Sequence, residues 1–121
     1  ELSLMFTLSS QDRFLLYSRP TDMRKSFDSL SGLIRSELSS DPCSGDVYLF
    51  INKVGDKLKL LHWNGSSYTL YYKRLERGSF ELPRYDKSVG VIRLDYARLV
   101  LLIDGLSVKN ISHRRRLIPG K

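Results

Sequence analysis

The stretch from Asp46 to Arg77 constrains the fold more than any other part of the chain. Three apolar and aromatic runs, Val47–Ile51, Leu58–Trp63 and Tyr68–Arg74, are separated by Gly55-Asp56 and Asn64-Gly65. β-Branched and aromatic residues suit a pleated, half-buried surface. Asn and Gly tolerate the positive φ of tight hairpin connections, so the spacing predicts a three-stranded antiparallel meander. A chain of 121 residues has material for one core. The remaining segments are therefore expected to pack around this meander as a single domain over 1–121.

Upstream, Arg13–Tyr17 reads as a strand, and Pro20 ends it by fixing φ and biasing Arg19 away from helix. Thr21 or Asp22 is the expected N-cap of a helix. Its apolar stripe is Met23, Phe27, Leu30, Ile34 and Leu38, at spacings of three and four. Gly32 in mid-helix costs about 1 kcal/mol relative to alanine and reads as a mark of close packing on the sheet. Downstream, Ser79–Leu82 reads as a further short strand and Val89–Leu94 as another. Asp95 then caps a helix carrying Tyr96, Leu99, Val100 and Ile103, with Gly105 at the stop position. The expected fold class is α+β: an antiparallel sheet of about five strands with one long and one shorter helix. The basic tail from about 107 to 121 reads as poorly ordered. Met5 is a candidate start, with residues 1–4 as an upstream extension.

Charge is unevenly placed. The net charge is +7, yet residues 1–50 carry more acidic than basic side chains, and residues 51–74 carry five basic and one acidic. Such an asymmetry attracts polyanions. Strand alternation puts Lys57, Lys59, Leu61 and Trp63 on one face and Leu58, Leu60 and His62 on the other. In the next strand Tyr71 and Lys73 oppose Leu70 and Tyr72. One face is expected to be core and the other to show cations with flat rings, a combination that suits phosphates and stacked bases. The candidate nucleic-acid contacts are Lys53, Lys57, Lys59, Trp63, Tyr71, Lys73, Arg74 and Arg77, with Arg114, Arg115 and Arg116 as a basic arm. Ordinary strand aromatics beside solvated lysines explain the same pattern equally well. Arg19, Arg24 and Lys25 form a secondary candidate for phosphate. Cations in a first helical turn oppose the helix dipole, so they are not placed there for helix stability. Solvated side chains offset by Asp22 and Asp28 are the alternative.

The chemistry of an enzyme is missing from the pattern. His62 and His113 are isolated, no phosphate-binding glycine loop occurs, and no serine sits in a nucleophile elbow. No clustered His, Cys, Asp or Glu suggests a metal, so no cofactor is expected and a small-molecule partner is not favoured. Cys43 is the single cysteine and reads as a loop thiol; a reducing cytoplasm is the expected compartment, with the nucleoid as its place if DNA is bound. Even an unbroken apolar run such as Leu99–Ile103 falls far short of the roughly 20 residues of a membrane span. The N-terminal segment lacks a basic stretch followed by a long apolar one.

Several runs resemble one bacterial family. They are Arg19-Pro20-Thr21-Asp22-Met23-Arg24-Lys25-Ser26-Phe27-Asp28, then Pro42-Cys43-Ser44-Gly45-Asp46-Val47-Tyr48-Leu49-Phe50, then Lys59-Leu60-Leu61-His62-Trp63, then Leu70-Tyr71-Tyr72-Lys73-Arg74-Leu75-Glu76-Arg77-Gly78-Ser79-Phe80. Together, over roughly Phe6 to Leu106, they resemble the small accessory protein from the second reading frame of insertion sequences of the sixty-six group. That protein is distinct from the RNA-guided nuclease that shares its TnpB label. Ser29 stands where such proteins often have glycine. The resemblance implies a non-catalytic helper in DNA transposition, working beside a larger transposase of the same element. It does not say which residues touch DNA. Two functions follow as expectations: a DNA-binding accessory factor using the basic-aromatic face, or a protein-interaction module that docks on the transposase without contacting DNA.

Overall fold

The computed structural model describes residues 8–82 and 88–104. Five strands, β1 (Phe14–Tyr17), β2 (Val47–Ile51), β3 (Lys57–Trp63), β4 (Tyr68–Arg74) and β5 (Val91–Leu94), form one sheet in the order β4-β3-β2-β1-β5. Two helices, α1 (Phe27–Glu37) and α2 (Tyr96–Ile103), complete the α+β fold. The meander appears as expected: β3 pairs antiparallel with β2 and with β4. The sheet as a whole is mixed, which corrects the antiparallel expectation. β1 runs parallel to β2, with Phe14 opposite Val47, while β5 lies antiparallel on the other side of β1. Parallel neighbours need a long crossover, and the segment carrying α1 supplies it.

Both faces of the sheet are covered. On one, Leu15, Tyr48, Phe50 and Leu61 meet Leu30 and Ile34 of α1. On the other, Phe14, Leu16, Val47, Leu49, Leu58 and Leu60 meet Leu99, Leu102 and Ile103 of α2, together with Phe80. β2 is buried along its whole length. A strand covered on both sides reads as an unbroken apolar run, and Val-Tyr-Leu-Phe-Ile is one. The expectation of one open, cationic face is therefore corrected: α1 lies over the face that carries Lys57, Lys59 and Leu61.

Several boundaries differ for local reasons. α1 starts at Phe27 with Ser26 as N-cap, and Ser29 Oγ accepts from the Ser26 N–H at 2.8 Å. Asp22 caps a preceding turn instead, its Oδ1 accepting from the Arg24 N–H at 2.9 Å. Met23 lies before the helix but still packs against the α1-side core. Beyond its own stretch of helix, no atom lies within 4 Å of where a Gly32 Cβ would sit, so it does not mark close packing on the sheet. Ser79–Leu82 is not a strand. The Phe80 N–H donates to the Gly55 carbonyl at 2.8 Å and its ring fills the α2-side core. Gly55 has φ +88, and an added Cβ would meet Ser79 Cβ at 3.4 Å. Asp95 caps α2 as expected, accepting from the Arg98 N–H at 2.8 Å. Gly105 and the tail lie outside the described residues.

The Tyr48 hydroxyl is buried with no hydrogen-bond partner among the described residues. An unsatisfied buried polar group costs about 1–3 kcal/mol. Tyr48→Phe is expected to raise stability by about 1 kcal/mol, read as a rise of a few degrees in the thermal midpoint.

Candidate nucleic-acid interface

Lys59 sits in the middle of β3, opposite Phe50 and Tyr72. Only 6% of it is exposed. Its Nζ donates to the carbonyls of Met23, at 2.8 Å, and Lys25, and lies 4.6 Å from the centre of the Tyr72 ring. A buried ammonium is tolerated only when paired or hydrogen-bonded. Here its partners are the backbone of the loop before α1. The Thr21 N–H adds a second tie, donating to the Ile51 carbonyl at 2.8 Å. The motif Thr21-Asp22-Met23-Arg24-Lys25 is thus strapped across the sheet by Lys59 and β2.

The strapped loop, the β2–β3 turn and the edge strand β4 enclose an open cleft of about 510 Å³. Arg24, Lys53 and Lys57 line it, with Thr21, Val54 and Tyr72. The Tyr72 side is continuous with a smaller recess lined by Lys57, Tyr72, Arg74 and Glu76. The β2–β3 turn is internally braced: Asn52 Oδ1 accepts from the Gly55 and Lys57 N–H groups, each at 3.0 Å. Asn52 Nδ2 donates to Asp56 at 2.7 Å. The Leu75 N–H donates to the Asp56 carbonyl at 2.8 Å, which keeps the exposed segment with Arg77 beside this turn.

Carboxylates sit among the cations. Asp22 holds Arg24 at 2.7 Å, and Glu76 holds Arg74 at 3.0 Å. The Lys57 ammonium is 3.9 Å from Asp56, beyond hydrogen-bond length. Lys53 and Arg77 have no carboxylate partner among the described residues. The Arg24 side chain and backbone hold the Asp22 carboxyl down to about 2. The Asn52 amide, then Lys57 and Arg74, hold Asp56 below the usual carboxylate range.

The expected site residues divide. Lys53, Lys57, Arg74 and Arg24 gather at the cleft, with Arg77 nearby and exposed Arg19 preceding Pro20 on its rim. Lys25 contributes its carbonyl to Lys59. Lys59 is a structural strut and not a surface cation. Trp63 shares its sheet face but lies at the far end, its ring edge-on to Tyr68 at 4.9 Å. The Tyr68 hydroxyl lies 3.2 Å from Cys43 Sγ, and burial followed by that contact raises its pKa. Tyr71 packs against the α2-side core, and Lys73 lies on that face too, opposite Leu58. Arg114, Arg115 and Arg116 lie outside the described residues. The ring missing from the expected set is Tyr72. Any hairpin loop with an even number of residues puts Tyr72 on the face of Lys57 and Lys59, so strand parity contained the signal.

Fold and site define a small basic α+β protein with a cation-lined cleft at one corner of its sheet. Among the described residues no group of three or more His, Cys, Asp or Glu could hold a metal ion, and no helix is long and apolar enough to cross a membrane. The chain belongs to the IS66 Orf2-like family, whose model, described as IS66 Orf2 like protein, matches residues 12–113. It is accordingly a transposition-associated accessory protein of the kind its motifs resemble. It is 30% identical over 109 residues to the uncharacterized protein y4jC of Sinorhizobium fredii, covering 90% of this chain and 92% of the relative. It is 34% identical over 86 residues to the uncharacterized protein y4hO of the same organism, covering 71% and 73%. No solved structure matches the chain.

Lys59→Met leaves two carbonyls without their donor and is expected to cost about 2–3 kcal/mol, measured as a lower urea midpoint. Proteolysis at Arg24 and Lys25 should quicken in the same variant. Asp22 should titrate near 2 when followed by carboxyl NMR. Its folded pKa lies below the ordinary 3.8, so its contribution to stability is present above that value and lost as pH falls towards 2.

Proposed function

We propose that the chain is a non-catalytic DNA-binding helper of transposition that grips the phosphate backbone with the corner formed by Lys53, Lys57, Arg74, Arg77 and Arg24. One observation carries the reading. Cations from three separate stretches of chain converge around a single exposed ring, on a frame braced by Lys59 and Asn52. Basic residues gathered by the fold, rather than by a run in sequence, make a surface of defined shape for a polyanion. Arg24, Lys57 and Arg74 lie beside carboxylates that phosphate oxygens could replace as partners. Lys53 and Arg77 are open to phosphate already. Contacts of this type position a protein on DNA without specifying sequence.

A second reading is favoured by Val54, which is 77% exposed beside the half-exposed Tyr72. A pair of apolar groups within a cationic rim also suits a protein partner, here the transposase of the element. On that reading Val54→Asp releases the transposase in co-purification and leaves DNA affinity in place.

The DNA-binding reading is tested by replacing Lys53, Lys57, Arg74 and Arg77 together with glutamine. Affinity for a duplex, followed by fluorescence anisotropy, should fall more than tenfold at low salt. The slope of log affinity against log salt should flatten by roughly 3 to 4, at about 0.9 per lost phosphate contact. Unaltered affinity and slope in a folded variant would place any DNA site elsewhere.

A further inference from the structure

We propose that the cleft receives the base of one unpaired DNA nucleotide, stacked on Tyr72, with its phosphates between Lys53, Lys57 and Arg24. The proposal rests on the DNA-binding reading above and names the form of DNA that the same corner takes. Tyr72 stands on the edge strand β4, 50% exposed, and lines both the main cleft and the smaller recess beyond it. Its side chain thus borders cations on both sides, Arg24 and Lys53 in the cleft and Arg74 in the recess, with Lys57 common to both. Lys59 is already placed against it, 4.6 Å from the ring centre, and is itself fixed by two carbonyls. The ring is therefore held in orientation while half of it stays open.

Duplex DNA does not use such a platform. Each base in a duplex has its faces covered by its neighbours, and the protein meets phosphates first. A ring among lysines at the side of a recess reaches a base only when that base has left the stack. The cleft, at about 510 Å³, falls within the roughly 300–1,000 Å³ of small-ligand sites. Thr21 and Asn52 line the same cleft beside Tyr72. Stacking on an aromatic ring tolerates every base, so no strong base preference is expected.

The test uses the purified full chain and three labelled probes: a blunt duplex, the same duplex with one extra unpaired nucleotide, and that bulged duplex with the extra nucleotide abasic. The base-bearing bulge should bind about tenfold or more tighter than the other two, as stacking of one base allows. Tyr72→Leu should bring the ratio of bulged to blunt affinity down to that of the abasic bulge, while Tyr72→Phe keeps the ratio of the parent protein. An abasic bulge that binds as well as the base-bearing one would overturn the proposal, because only DNA bending would then be recognised. So would a preference that survives Tyr72→Leu. Blunt-duplex binding that is lost in the four-glutamine variant, with no bulge preference in the parent protein, would remove the stacked nucleotide alone. Absence of binding to all three probes would remove the DNA-binding reading together with it.

Discussion

The buried ammonium of Lys59 is the constraint on which the rest of the site depends. A charge held at 6% exposure demands polar partners, and the sheet that surrounds it has none to spare. The loop before α1 provides them by turning the Met23 and Lys25 carbonyls inward. Those carbonyls bond Lys59, and α1 starts after them, at Phe27, with Ser26 as its N-cap. The same ammonium faces Tyr72 from the neighbouring strand. One side chain thereby joins three stretches of chain, and the cleft is the space left between them. The family resemblance rests partly on Thr21-Asp22-Met23-Arg24-Lys25 and on the segment that begins at Lys59. Their physical connection explains why these two runs belong together.

The cations around the cleft are arranged so that they neither repel one another freely nor become locked away. Asp22, Asp56 and Glu76 lie beside Arg24, Lys57 and Arg74. Exposed pairs of this kind contribute little to stability and are weakened by salt. Their value lies in positioning. Asp22 bonds both the backbone and the guanidinium of Arg24, which sets the direction of that side chain before any ligand arrives. On the proposed DNA-binding reading, a phosphate would meet cations already directed by short-range partners, beside Lys53, which has no carboxylate partner among the described residues.

The fold was legible wherever local chemistry and burial agreed. Asn64 and Gly65 mark the β3–β4 connection, where Asn64 Oδ1 accepts from the Ser66 and Ser67 N–H groups and Gly65 has φ +103. Asp95 caps its helix without help from elsewhere. The parallel pairing of β1 with β2 was not legible, because it depends on where α1 lands on the sheet. Yet Phe14-Leu15-Leu16-Tyr17 and Val47-Tyr48-Leu49-Phe50-Ile51 show no polar alternation, and that silence already implies cover on both faces. Reading Lys59 as a surface cation followed from assuming one open face. Its burial depends on two carbonyls 34 and 36 residues away, a relation that alternation along one strand does not contain.

The same geometry bears on how the site divides its work. Lys59 and Tyr71, both expected at the nucleic-acid face, belong to the frame. Tyr72, which pairs with Lys59, and Lys57, two residues before Lys59 on β3, belong to the opening. In a sheet covered on both faces, the edge strands and their turns are the parts of the sheet left for contact with another molecule. β4 is the edge strand on this side, and its even-numbered residues run from Tyr68 through Leu70 to Tyr72 and Arg74, from half-buried to exposed. The cover of α1 ends along this line, and the basic residues begin where it ends. The DNA-binding helper proposed above would need a rigid, charged rim, and in this fold the frame supplies the rigidity while the end of the edge strand supplies the charge.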